Sequence, residues 1–273
     1  MPDRYGVFGN PISHSKSPEI HRAFAKQTKQ DLTYQAFHVE SGCFASTARQ
    51  FFRDGGCGLN ITVPFKEEAF AFADELSQRA QIAGAVNTLR RGADGRVLGD
   101  NTDGAGFIGD LRRLAWPINN KKVLLIGAGG AARGVLGALL KEQPQLLLLA
   151  NRTAKRAHLL AEDFVSEGRV VGGGYERMQE YRFDIIINAT SASLFGEIPP
   201  VPPTCFASGC AVYDMVYANE LTPFLALVKG FEVKRLADGI GMLVGQAAES
   251  FYLWRGVRPN VNPVIQQLKQ ATP

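Results

Sequence analysis

The chain has 273 residues, enough for one large domain or two of ordinary size. Its net charge of +4, from 30 basic and 26 acidic residues, is too mild to favour a nucleic-acid partner, and no apolar run is long enough to span a membrane. The four cysteines and four histidines show neither CxxC nor HExxH spacing, and the N-terminus lacks an apolar signal region, so we expect a cytoplasmic protein without disulfides or a metal.

The N-terminal part alternates strand and helix patterns. Strands are predicted at residues 4–8, 32–39, 58–63 and 97–101, and helices at 17–27, 43–54, 63–80 and 102–114. Within 82–90, Gly84 predicts a break and Asn87 lies on a further strand. Ser17 precedes Pro18 and Glu19, an arrangement typical of a helix N-cap. Capping explains Ser17 but not Ser15, and both hydroxyls beside a helix start could instead bind an anion. The sequence leaves both interpretations open.

Lys66 has the most unusual position in this part. It falls in the first turn of a predicted helix, where a cation opposes the helix dipole at a cost of roughly 0.3–1 kcal/mol. Glu67 and Glu68 could offset that cost, so a solvated lysine and a functional one both remain open. Just before it, Asn60 and Thr62 share one face of a predicted strand at its carboxyl end.

A Gly-rich turn marks the second part. Residues 123–126 are apolar, and Gly127-x-Gly129-x-x-Ala132 follows, which fits the dinucleotide fingerprint of a strand–turn–helix unit. Small residues at this spacing also serve plain helix–strand packing. The next apolar run, 145–150, stands where the second strand of such a unit belongs, which favours the nucleotide interpretation.

The end of this second run indicates the cofactor. NAD sites place a carboxylate there to accept from the ribose 2′-hydroxyl. Here Asn151, Arg152 and Thr153 follow the run, with Arg156 after them, so two guanidinium groups stand where the carboxylate would be. Guanidinium groups suit a 2′-phosphate, which predicts NADP.

The remaining pattern is that of an α/β fold. Further strands are predicted at 122–126, 145–150, 169–172, 183–189, 210–216 and 232–235, and helices at 131–141, 153–167, 222–230, 242–254 and 262–270. We expect an α/β substrate domain formed by 1–102 and 241–273 and a Rossmann-type, doubly wound domain formed by 103–240. The C-terminal helices have no following strand, so we expect them to pack back on the first domain.

Nine motifs occur in order along the chain. They are GNPISHSKSP, NITVPFKE, AGAVNTL, GDNTDG, LLIGAGGAARG, NRTAKRA, IINATS, YDMVY and ADGIGMLVGQAA. With them the sequence resembles the shikimate dehydrogenase family over essentially its full length. The resemblance implies reversible, NADPH-dependent reduction of 3-dehydroshikimate to shikimate in aromatic amino-acid biosynthesis.

The resemblance also implies roles for single residues. Lys66 and Asp103 match the catalytic pair. Ser15 and Ser17 match the serines that bind the substrate carboxylate. Hydroxyl-binding positions match Asn60, Thr62, Lys66, Asn87, Asp103, Tyr217 and Gln246. Cofactor positions match Gly127, Ala128, Gly129, Gly130, Ala131, Asn151, Arg152, Thr153, Arg156, Ala189, Met215 and Gly239. One departure is Gln78, where some relatives carry an acid, and we assign it no role.

Two other functions compete with this hypothesis. A quinate/shikimate dehydrogenase that uses NAD is disfavoured by Arg152 and Arg156. A catalytically silent dinucleotide-sensing module is disfavoured by Lys66, Asp103 and the full set of substrate positions. The sequence leaves open whether the protein is a monomer or a homodimer.

Overall fold

A computed structural model describes residues 2–190, 192 and 197–270. The chain divides into two compact units, Met1–Gly106 with Val244–Gln267, and Phe107–Leu243 with Leu268–Pro273. These borders lie a few residues from the expected ones at 102/103 and 240/241. They differ at the C-terminus, where Leu268 onwards is grouped with the second unit. Lys269 Nζ lies 4.0 Å from Asp238 Oδ1 of that unit.

The first unit is built on a mixed sheet. Its strands are β1 (Asp3–Gly9), β2 (Leu32–His38), β3 (Gly56–Ile61), β4 (Glu75–Leu76), β5 (Thr88–Arg91) and β6 (Val97–Asp100), in the order β2-β1-β3-β5-β6-β4. β1 is parallel to β2 and β3, whereas β5 is antiparallel to β3 and β6. An aromatic-rich core around Phe8, Phe44 and Phe65 covers this sheet.

The second unit contains a parallel sheet. Its strands are β7 (Lys122–Ile126), β8 (Leu146–Ala150), β9 (Val170–Gly173), β10 (Phe183–Asn188), β11 (Phe206–Asp214) and β12 (Arg235–Ala237). They lie in the order β12-β11-β10-β7-β8-β9, and the pairings are parallel. This is the strand order of the doubly wound dinucleotide fold, with its switch point between β7 and β10. The predicted fold class is confirmed.

Helices connect the strands of both units. They are α1 (Ser17–Thr28), α2 (Phe44–Arg53), α3 (Lys66–Phe72), α4 (Gln78–Ala83), α5 (Asp103–Arg113), α6 (Gly130–Lys141), α7 (Ala154–Glu162), α8 (Pro223–Lys229), α9 (Ile240–Arg255) and α10 (Val261–Gln270). None of the helices in the described part of the chain is long and apolar enough to cross a membrane.

Two local predictions in the first unit are wrong. The helix expected to continue over 74–80 ends at Phe72, because Glu75 and Leu76 pair with β6 and form β4 instead. Ser77 then caps α4 by accepting a hydrogen bond from the Ala80 N–H at 3.2 Å. Ser17 is not the N-cap of α1. Lys16 holds that position, and Ser17 is the first helical residue.

Three boundaries in the second unit also differ. The strand expected at 232–235 begins only at Arg235, because Glu232 takes a left-handed backbone with φ of 62° in the turn after α8. The helix expected over 153–167 ends at Glu162, since the Phe164 N–H bonds to the Ala161 carbonyl at 3.1 Å in a tighter turn. β11 covers 206–214 and not the expected 210–216, because Phe206 already pairs with Phe183 of β10, and Met215 therefore follows the strand.

The C-terminal part of α9 packs on the first sheet, as expected. The Trp254 indole donates to the Leu89 carbonyl at 3.0 Å, and the Ser250 and Thr88 hydroxyls are 2.7 Å apart. Trp254 also stacks on Tyr5 with ring centroids 4.7 Å apart. These contacts hold the C-terminal half of α9 against β1 and β5.

Candidate active site and cofactor site

Lys66 lies at the carboxyl edge of the first sheet. It lies in the first turn of α3, as predicted, although the helix begins at Lys66 itself and not at residue 63. Its carbonyl accepts from the Val86 N–H at 3.0 Å, just before β5. The Lys66 ammonium donates to Asp103 Oδ2 at 2.5 Å. The Lys66 side chain is 31% exposed and that of Asp103 is 14% exposed, so the ion pair is sheltered yet reachable by a ligand.

Asp103 begins α5 directly after β6, where the helix dipole stabilises its negative charge. Its second oxygen, Oδ1, accepts from Asn87 Nδ2 at 2.7 Å. The other end of the Asn87 amide is fixed too, because Asn87 Oδ1 accepts from the Thr102 N–H at 2.9 Å and from the Thr88 hydroxyl at 2.8 Å. The amide therefore points its NH₂ group at the carboxylate.

Gln246 reaches this group from α9. Asn87 Nδ2 lies 3.5 Å from Gln246 Oε1. The approach depends on Gly106, where an added Cβ would lie 2.2 Å from the Gln246 backbone nitrogen. Because only glycine fits there, α9 can lie directly on α5 and bring Gln246 to the Asp103 side of the helix. We call Lys66, Asn87, Asp103 and Gln246 the lysine cluster.

Ser15 and Ser17 lie in the loop between β1 and α1. The Ser17 N–H donates to Ser15 Oγ at 3.3 Å, so the two residues turn toward each other. The Asn10 N–H donates to the Val63 carbonyl at 3.1 Å, which connects this loop to the loop between β3 and α3, just before Lys66. Both loops therefore leave the carboxyl edge of the same sheet, on neighbouring strands.

Asn60 is buried, with only 5% of the residue exposed. Its oxygen accepts from the Tyr34 hydroxyl at 2.7 Å, and its NH₂ group donates to Ser250 Oγ at 2.9 Å and Thr88 Oγ1 at 3.2 Å. Burial raises the pKa of the Tyr34 phenol well above its ordinary value, and a hydrogen bond with Ser17 opposes that rise. These hydrogen bonds connect Asn60 to β2, β5 and α9. Its contact with the substrate stays a prediction.

The structure brings several predicted substrate residues together within the first unit. The lysine cluster is in mutual contact, and Thr62, just after β3, is half-buried at the same sheet edge as Ser15 and Ser17. Tyr217 belongs to the second unit, where it is exposed after β11. Sequence reasoning missed the buried hydroxyls that orient Asn87 and Asn60. Two of these hydroxyls could have been found from the sequence, because Thr102 adjoins Asp103 and Ser250 lies one helical turn beyond Gln246.

The Gly-rich turn of the second unit has the predicted geometry. Gly127 has φ of +109°, a conformation that favours glycine, and an added Cβ would lie 3.1 Å from Thr190 Cγ2. Gly129 holds the N-cap position of α6, and added Cβ atoms at Gly129 and Gly130 would meet only open space. Ala132 is fully buried against the sheet. The start of α6 is therefore open to a pyrophosphate, which stays a prediction for residues 127–131.

The four residues expected at a 2′-phosphate lie after β8. Arg152, Thr153 and Arg156 are exposed, and Asn151 is fixed by a bond from its NH₂ group to the Thr153 carbonyl at 3.0 Å. Asn151 and Arg152 line a cavity of about 580 Å³ with Tyr175, Thr190, Ala192, Glu197, Ile198, Pro199 and Pro200. A cavity of this size beside an exposed guanidinium fits the phosphorylated adenosine end of NADP.

Three further cofactor positions lie at the carboxyl ends of neighbouring strands. Ala189 directly follows β10, and the Met215 N–H after β11 donates to the Asn188 carbonyl at 2.9 Å. An added Cβ at Gly239 would lie 2.1 Å from the Met215 carbonyl oxygen, so glycine is needed there. Among the residues that the structure describes, no group of three or more His, Cys, Asp or Glu side chains is placed to hold a metal ion.

Three family models match this chain. They are the shikimate dehydrogenase substrate binding domain over residues 7–89, shikimate / quinate 5-dehydrogenase over 111–195, and the shikimate 5′-dehydrogenase C-terminal domain over 239–269. Their order agrees with the order of the two units along the chain. The third model covers most of α9 and α10.

Individual relatives match over almost their full length. The chain is 54% identical to a shikimate dehydrogenase (NADP(+)) of Cellvibrio japonicus, covering 99% of this chain and 98% of that one. Among solved structures, an Ael1 enzyme from Pseudomonas putida has a TM-score of 0.91 at 46% identity, covering 97% of this chain and 98% of that one. Shikimate 5-dehydrogenase from Thermus thermophilus, in complex with NADP(H) and shikimate, has a TM-score of 0.87 at 32% identity, covering 98% and 99%. The chain belongs to the shikimate dehydrogenase family.

Proposed function

We propose that this protein catalyses the reversible, NADPH-dependent reduction of 3-dehydroshikimate to shikimate, a step of aromatic amino-acid biosynthesis. The observation that carries the proposal is the Lys66–Asp103 pair at 2.5 Å, which opens onto a sheet edge lined with hydroxyl and amide groups. The relatives named shikimate dehydrogenase (NADP(+)) support the same assignment.

Lys66 is the proposed acid. When a carbonyl is reduced, negative charge develops on its oxygen, and a positioned cation stabilises that charge and supplies the proton. An ammonium group has three N–H donors, so the bond to Asp103 leaves donors for the substrate oxygen. Asp103 holds the ammonium in place and offers its remaining acceptor capacity to a substrate hydroxyl. In the oxidation direction, Lys66 takes the proton back.

The substrate residues divide by chemistry. Ser15 and Ser17 would bind the ring carboxylate through their hydroxyls, since an anion needs donors. Amide and hydroxyl groups both donate and accept, which suits the ring hydroxyls. We assign those contacts to Asn60, Thr62, Asn87, Asp103, Tyr217 and Gln246.

The cofactor would supply the hydride as NADPH in the reduction direction and accept it as NADP⁺ in the oxidation direction. Residues 127–131 would hold its pyrophosphate at the start of α6, where backbone N–H groups and the helix dipole favour phosphate. Asn151, Arg152, Thr153 and Arg156 would hold the 2′-phosphate. Ala189, Met215 and Gly239 would line the nicotinamide end, at the carboxyl ends of the strands.

Initial rates with shikimate and with quinate, each with NADP⁺ and with NAD⁺, test this assignment. We expect the highest kcat/KM with shikimate and NADP⁺. Higher kcat/KM with quinate or with NAD⁺ would favour a quinate/shikimate dehydrogenase, and no oxidation of either acid would favour a sensing module.

We also propose a cytoplasmic location, in keeping with the free thiols of Cys43, Cys57, Cys205 and Cys210. Whether the enzyme is a monomer or a homodimer is measurable by light scattering.

A further inference from the structure

The Arg152 side chain has an acidic partner at the cavity after β8. Its guanidinium nitrogen Nη1 lies 3.3 Å from Glu197 Oε2, and both residues line the cavity after β8. Residues 151–156, which follow β8 in the sequence, include no carboxylate. That absence is what led us to expect NADP. The fold nevertheless brings a carboxylate there from a segment 45 residues further along the chain.

The Glu197 backbone is held by a hydrogen bond, whereas its side chain is largely exposed to solvent. The Glu197 N–H donates to the Ala192 carbonyl at 3.0 Å. The Glu197 side chain is 65% exposed and that of Arg152 is 79% exposed. The pair is therefore held together by a solvent-screened attraction that a stronger anion can replace.

Arg152 and Glu197 are also the charged members of the described cavity lining. A 2′-phosphate bound at Arg152 competes with the Glu197 carboxylate for the same guanidinium group and lies close to that carboxylate, so repulsion between like charges weakens its binding. A ribose with a free 2′-hydroxyl meets no such repulsion, because a hydroxyl can donate to a carboxylate. Glu197 thus opposes one cofactor more than the other.

We propose that Glu197 is a specificity-determining residue that occupies the 2′-phosphate subsite in the free enzyme. By doing so it lowers the preference of the enzyme for NADP⁺ over NAD⁺. This inference rests on the proposed function, since it takes Arg152 as the residue that binds the 2′-phosphate. It makes Glu197 a competitor of the cofactor phosphate for one guanidinium group.

Calorimetric titration of the purified enzyme without substrate tests the inference. The ligands are NADP⁺, NAD⁺, 2′,5′-ADP and 5′-AMP, and the proteins are wild type, Glu197→Gln and Glu197→Lys. We expect Glu197→Gln to bind NADP⁺ and 2′,5′-ADP about two- to fivefold more tightly, the range that an exposed ion pair supplies. Glu197→Lys should bind both more tightly still, and NAD⁺ and 5′-AMP should gain less than twofold in either variant.

Glu142→Gln is the matched control, because it removes another ion-paired carboxylate of the second unit, a half-buried one that accepts from Arg112 at 2.6 Å. It should leave all four affinities unchanged. Unchanged or weaker NADP⁺ binding by Glu197→Gln, or an equal gain for all four ligands, would overturn the inference while leaving the proposed function intact. Failure of the wild type to bind NADP⁺ at all would overturn the cofactor assignment itself, and the inference with it.

Discussion

Lys66 and Asp103 begin two different helices, and their side chains meet at 2.5 Å. The two helix starts act oppositely on the two charges. The N-terminus of α5 favours the Asp103 carboxylate, whereas that of α3 disfavours the Lys66 ammonium. The ion pair therefore compensates for a lysine placed where its own helix does not favour it, and the placement makes sense for a group that must meet a developing negative charge.

Replacing this lysine separates chemistry from packing. Lys66→Met keeps the length of the side chain and removes its charge. We expect kcat to fall 10²–10⁴-fold, the range typical of a lost acid or base, and KM for shikimate to stay within a few-fold. Steady-state rates measure both, with Lys26→Met on the exposed face of α1 as the control. A kcat for Lys66→Met within about tenfold of wild type would show that Lys66 is not the proton donor.

The two serines before α1 provide a test of substrate binding. Ser15→Ala combined with Ser17→Ala should weaken shikimate binding and leave NADP⁺ binding nearly unchanged. Lys16 rather than Ser17 holds the N-cap position of α1, so we expect a stability loss of only about 1 kcal/mol, from the lost hydrogen bond between the Ser17 N–H and Ser15 Oγ. Calorimetry with shikimate and thermal unfolding measure the two effects.

Ser13→Ala, an exposed serine of the same loop, is the control for this pair. If the folded double variant bound shikimate as tightly as the control, Ser15 and Ser17 would have only a structural role.

The sequence predicts best where local chemistry decides the structure. Gly127, Gly129 and Ala132 needed only the shape of one turn, and Lys66 at a helix start followed from its immediate neighbours. Predictions failed where distant pairing decided, as for β4, which exists because β6 lies beside it. The Glu197 carboxylate beside Arg152 was invisible for the same reason, since a site read from one strand end cannot show what another segment brings to it.

Arg152 tests the cofactor assignment directly. Arg152→Ala should raise KM for NADP⁺ about tenfold or more, because hydrogen bonds to charged groups contribute ~1.5–3 kcal/mol. KM for NAD⁺ should change far less, since the lost guanidinium faces the phosphate that NAD⁺ lacks. Arg112→Ala, which removes another exposed arginine of the second unit, is the control. Equal losses with both cofactors would refute a role for Arg152 at the 2′-phosphate.

His21 makes the stability of the first unit sensitive to pH. Its ring is 1% exposed and lies flat on Tyr34, with centroids 4.2 Å apart and planes at 6°. Neither ring nitrogen meets a partner with hydrogen-bond geometry in the part of the chain that the structure describes. Burial therefore lowers the pKa of His21 from 6.5 to about 3, an effect that nearby Asn60 only partly opposes.

The sign of the effect follows from proton binding. Between about pH 3 and 6.5 the unfolded chain binds a proton at His21 and the folded chain does not, so acid favours unfolding in this window. The contribution of neutral His21 is fully present above pH 6.5 and declines by up to about 1.4 kcal/mol per pH unit below it.

His21→Phe keeps an aromatic ring against Tyr34 and removes the titration. We expect its free energy of unfolding, measured with urea from about pH 4.5 to 7.5, to fall less steeply with acid than that of the wild type. His158→Gln, which removes an exposed histidine of α7, should keep the wild-type slope. Parallel slopes for His21→Phe and wild type would mean that His21 accepts its proton in the folded enzyme too, and that the aromatic cluster around it tolerates the charge.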